Sequence, residues 1–148
     1  MKLILIIILL SLLLTLAACN QTPNNPITTA SQPVASSGKI IAEAKAGEIT
    51  VILTNSQGHL KDGENNFTVE FRNAAGQPVD VGAVTMFIDM PGMGAMAPMK
   101  SNVKLLTTNT PGIYQATTNL EMVGTWYANV SYKGNVGEGK TRFAINAK

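Results

Sequence analysis

The chain has 148 residues, 45% of them hydrophobic and 14% charged, with one Cys, one His, one Trp and seven Met. That length suits one modest domain, while a single Cys excludes an internal disulfide or a Cys₂ metal site and a single His excludes a multi-histidine zinc or iron centre. A net charge of +2 is too small for the concentrated basic face with which proteins track nucleic-acid phosphates, so no nucleic-acid partner is expected.

Fifteen of the first eighteen residues are apolar, and Lys2 is the only charge before the run from Leu3 to Leu14, broken only by Ser11. The run is shorter than the roughly 20 residues of a membrane span, which makes 1–18 a secretory signal peptide. It ends in Leu16-Ala17-Ala18-Cys19, which resembles a bacterial lipobox in which Cys19 is acylated and becomes the first mature residue. A short signal or anchor with an incidental Cys is the alternative. Lipidation predicts a mature protein held at the extracytoplasmic face of a membrane in the cell envelope, with a thiol-free domain beyond the anchor.

Residues 19–38 carry three prolines, no charge and no periodic apolar pattern. Such composition cannot offset its own chain entropy, so it reads as a flexible linker with a typical reach of about 20–25 Å. A folded domain follows over 39–148. Its apolar residues alternate, as in Ile49-Val51-Leu53, Phe67-Val69-Phe71, Val84-Met86-Ile88, Val103-Leu105, Ile113 to Thr118, Trp126-Ala128-Val130-Tyr132 and Phe143-Ile145. Each run is short, rich in β-branched or aromatic residues, and bounded by Gly, Pro, Asn or Asp. The spacing predicts an all-β domain, an immunoglobulin-like antiparallel β-sandwich of about seven strands. Trp126 and Met86 are expected in its core, and Gly63 and Gly76 in turns that need positive φ.

The segment Asp89-Met90-Pro91-Gly92-Met93-Gly94-Ala95-Met96-Ala97-Pro98-Met99-Lys100 fits neither a strand period of two nor a helical period. It reads as a loop presenting sulfur. Thioether sulfur is neutral and soft and needs no deprotonation, so it selects Cu(I), with Ag(I) as a close analogue, over Mg²⁺, Ca²⁺ or Zn²⁺. Residues three apart across a turn lie within about 7 Å, and Pro91-Gly92 would place such a turn between Met90 and Met93. Fully extended, the same step spans about 10 Å and separates the donors. The composition also suits an adaptable apolar docking surface, or simple packing over the end of the sandwich.

In the predicted strand order, the loops carrying His59, Met90 to Met99, and Met122 all emerge at one pole. The candidate ligands are therefore Met90, Met93, Met96, Met99, Met122 and His59. An imidazole beside thioethers would also admit Cu(II), although His59 within Ser56-Gln57-Gly58-His59-Leu60 reads more simply as a solvated turn residue. No organic cofactor is indicated. Asp62, Glu64, Asp89 and Glu121 show no spacing that nominates a catalytic carboxylate pair, and no phosphate-binding glycine loop is present, so a non-enzymatic role is expected.

Taken in order, Gly63-Glu64-Asn65-Asn66-Phe67, Met90-Pro91-Gly92-Met93, Pro111-Gly112-Ile113-Tyr114 and Met122-Val123-Gly124-Thr125-Trp126 resemble the YtkA-like domain family, related to FixH-type proteins. The resemblance covers roughly Ile49 to Ile145. It implies a small extracytoplasmic β-sandwich, often membrane-attached, associated with copper handling, efflux adaptors or assembly of haem-copper oxidases. Met90, Met93 and Met122 are the matched positions; Met96 and Met99 extend the pattern here, and His59 rests on loop topology alone. The expected partners are the membrane, through the anchor, and a metal-transfer, efflux or oxidase-assembly protein.

Overall fold

The computed structural model describes residues 38–148, so the predicted signal, Cys19 and all but the last residue of the linker lie outside the described residues. Nine strands follow: β1 (Lys39–Ala46), β2 (Ile49–Asn55), β3 (Gly63–Arg72), β4 (Ala83–Met90), β5 (Met99–Asn102), β6 (Lys104–Thr107), β7 (Ile113–Leu120), β8 (Gly124–Gly134) and β9 (Gly137–Ala147). They form two antiparallel sheets, of order β1-β2-β3-β7-β6 and β5-β4-β8-β9.

Within these, β2-β3-β7-β6 and β4-β8-β9 reproduce the A-B-E-D and C-F-G orders of an immunoglobulin sandwich. The seven expected strands are present, and β1 and β5 are additional. Neither carries the run of alternating large β-branched or aromatic residues that marks most of the others. β1 slips register between Ile40 and Ala42 along β2, and β5 is four residues held beside β4 by a hairpin rather than by β-prone side chains.

Alternation builds the core directly, since period two sends every second side chain inward. Val51, Leu53, Phe67, Val69 and Phe71 from one sheet meet Ile88, Trp126, Ala128, Val130 and Ile145 from the other, all buried. Phe71 sits near its centre, edge-on to Tyr114 at 5.7 Å and to Tyr132 at 6.0 Å. Such aromatic pairs contribute about 0.5–1.5 kcal/mol beyond burial. The Tyr132 hydroxyl donates to the Ala46 carbonyl at 2.8 Å, closing β1 over the edge of the second sheet. Burial raises the Tyr132 and Tyr114 phenols above the ordinary tyrosine range, with Glu48 and Asp80 respectively adding to it. Met86 and Trp126 are core residues, as their strand positions predict.

Candidate metal centre

One pole gathers the β2–β3 loop, the β4–β5 hairpin, the β7–β8 turn and the end of β9. Those connections carry the sulfur and the imidazole that the sequence nominates.

The methionine segment is a hairpin rather than an irregular loop. Met90 pairs with Met99 at the ends of β4 and β5, and Met93 pairs with Met96 in an isolated antiparallel bridge. The register that begins at Phe87 and Asn102 runs to the tip without a slip. In that register Pro91 faces Pro98. Neither has an N–H, so the ladder breaks on both arms at one level and leaves the Met93–Met96 bridge by itself. That bridge is held by two reciprocal backbone bonds, Met93 N–H to Met96 O at 3.2 Å and Met96 N–H to Met93 O at 3.0 Å.

The expected turn at Pro91-Gly92 therefore moves to Gly94-Ala95. Gly94 has φ +59° and Ala95 has no positive φ, which is the signature of a type II′ two-residue hairpin turn. Gly92 sets the closeness of the arms, because a Cβ there would lie 2.9 Å from the Met96 carbonyl oxygen and 3.2 Å from the Pro98 ring.

This geometry divides the four methionines. Three residues is an odd step, which reverses the face along a strand. Met90 is 2% exposed and belongs to the core cluster, against which Met99 also packs, whereas Met93 is 59% and Met96 44% exposed. The expectation of exposed sulfur along the whole segment is corrected for Met90: its position at the end of β4 turns it inward, towards Gly124, whose Cβ position lies 3.1 Å from the Met90 methyl. Residues 91–98 are all exposed and none is charged.

Met122, in the turn after β7, is half-buried against the core. Its carbonyl accepts the Trp126 indole N–H at 3.0 Å, which satisfies the polar edge of a ring that is 1% exposed. The neighbouring Val123 is exposed. His59 lies in the β2–β3 loop, where the Asn55 side chain accepts the N–H groups of Gln57 and Gly58 and donates to the His59 carbonyl at 2.7 Å. Leu60 plugs the pole, its N–H bonded to the Asn146 carbonyl and its own carbonyl accepting from Lys148. His59 is half-buried. Because Leu60 bridges to Ala147 beyond β9, the sheet order places this loop three strand spacings, about 14 Å, from β4. The pole is common to all six candidates, but the hairpin tip and His59 stand at opposite edges of the four-stranded sheet.

Among the described residues no group of three or more His, Cys, Asp and Glu side chains could hold a metal ion. Asp62, Glu64 and Glu121 are exposed. Asp89 is engaged by Arg142 at 3.0 Å and by the Asn129 amide. The side chains with donor atoms at the hairpin tip are those of Met93 and Met96. The sequence signal for their arrangement is a near-palindrome, Met-Pro-Gly-Met-Gly followed by Ala-Met-Ala-Pro-Met, centred on the turn.

Residues 43–131 match the model of the YtkA-like family, and the chain belongs to that family. No curated protein matches the chain. Among solved structures, the as-isolated form of FetP from uropathogenic E. coli strain F11, recombinantly expressed in the periplasm of E. coli BL21(DE3), is similar at 8% identity and a TM-score of 0.43, over 76% of this chain and 97% of that one.

Proposed function

We propose that this chain is a non-enzymatic, lipid-anchored extracytoplasmic protein that binds and delivers Cu(I) through the methionine hairpin. The observation that carries the reading is the Met93–Met96 pair: two exposed thioethers fixed opposite one another by a II′ turn, at the tip of an uncharged arm. Opposed residues in an antiparallel pair have Cβ atoms about 4.5–5.5 Å apart, which lets two flexible Met side chains converge on one ion. Copper is cargo in this reading. Exposed thioethers can be replaced one at a time by an acceptor's ligands, which suits delivery rather than storage. Membership of the YtkA-like family supports the copper assignment, and the lipobox-like Leu16-Ala17-Ala18-Cys19 supports the anchor.

Titration of the full chain in detergent with Cu(I) against a competing chelator tests it. The Met93→Ala/Met96→Ala double variant is expected to lose more than about tenfold in affinity, or ~1.4 kcal/mol; unchanged affinity would exclude the tip.

A second reading is favoured by the apolar exposure of Pro91, Met93, Met96, Pro98 and Val123 at this pole: a module that docks on an efflux or haem-copper oxidase assembly complex without metal. Met93→Leu/Met96→Leu separates the two, since leucine keeps volume and apolarity but has no sulfur. Docking survives that change and copper binding does not.

A further inference from the structure

We propose that each hairpin tip is half of a metal site, and that one soft monovalent ion is held between two copies of this chain. The proposal rests on the soft-metal reading above and specifies what completes the coordination.

The tip offers two donors and no more. Met90 is buried in the core and Met99 packs against it, so recruiting either would expose apolar surface that the fold now covers, at about 25 cal/mol per Å². Met122 is half-buried with its backbone tied to Trp126. The His59 loop is three strand spacings from β4 and farther still from β5. Two thioethers leave a d¹⁰ ion with open positions, whereas four would complete an all-thioether shell whose softness suits Cu(I) or Ag(I).

A second tip supplies what is missing. The arm bears no charge from Met90 to Met99, so two tips can meet without desolvating an ionised side chain. Its near-palindromic sequence sets two equivalent donors about the turn, and a two-fold axis through the ion would relate them to two more from the other copy, an isologous arrangement in which the same patch serves both sides. The contacting surface is a few residues at the end of a hairpin, well below the roughly 1,000 Å² of a stable interface. The pair is therefore held by the ion and is monomeric without it, and filling every tip separately undoes it.

Native mass spectrometry of the full chain released from detergent, titrated with Ag(I), counts chains and ions together. The expected result is a monomer without silver, a species of two chains and one ion below half-equivalence, and a return to loaded monomers when silver is in excess. Met122→Leu is expected to behave like the unaltered chain, and Met93→Leu/Met96→Leu to bind no silver and stay monomeric. One ion per single chain at sub-stoichiometric silver would overturn the shared site while leaving soft-metal binding intact. Dimers without silver would overturn the gating by metal, and no silver uptake by the unaltered chain would overturn both the shared site and the function it rests on.

Discussion

Met90 and Met99 stand in the same relation as Met93 and Met96: each pair faces across one hairpin, in one register, with two residues between the pairs on each arm. Their environments are opposite. The inner pair closes the core at the pole, and the outer pair is displayed to solvent. A periodicity of three in sequence therefore produced two tiers with different duties rather than one ring of equivalent ligands. The odd step turns the face over, and the opposed prolines uncouple the tip from the ladder.

The most severe way to break this division is Met90→Ala. Truncating a buried methionine costs about 2–5 kcal/mol, read as a lower denaturation midpoint, with Cu(I) affinity of the folded fraction little changed. Gly92→Ala attacks the joint between the tiers: the new Cβ would press on the Met96 carbonyl oxygen, and overpacking of this kind costs about 1–3 kcal/mol. Here metal affinity is expected to fall together with stability, since the arms that carry the sulfurs must part.

Gly94→Ala has open space around its Cβ but forces an L side chain to φ +59°, at a cost of about 1 kcal/mol. Met93→Ala, on the exposed tier, is expected within about 0.5 kcal/mol of unaltered stability while weakening Cu(I) binding. Dilute peroxide followed by peptide mass mapping sharpens the same contrast without metal: sulfoxide should form first at Met93 and Met96 and last at Met86 and Met90, following exposure. Equal rates for Met90 and Met93 would erase the distinction. Thioethers carry no proton to lose, so Cu(I) affinity should be flat from about pH 8 to 5. A fall on acidification would bring a protonatable ligand into the site.

Much of the fold was legible in the residues. Phe67-Val69-Phe71 and Trp126-Ala128-Val130-Tyr132 alternate because one face of each strand is buried, so the pattern of burial is written in the pattern of hydrophobicity. β5 was not legible, because Met99-Lys100-Ser101-Asn102 is extended by its partner strand and not by its own composition. The turn was misplaced for a related reason. Pro91-Gly92 is a good turn signal by local chemistry, but the register inherited from Phe87 and Asn102 passes through it and closes at Gly94-Ala95, which the palindrome could have shown.

By itself the sequence determined the all-β class, the strand order that brings three loops to one pole, and the thioether character of the donors, because these follow from side-chain periodicity and from which elements are present. Only the tertiary structure decided which sulfurs are available. Register assigns a methionine to the core or to solvent, and register is a property of two strands together. The same holds for His59, whose distance from the hairpin is set by the strands that lie between them.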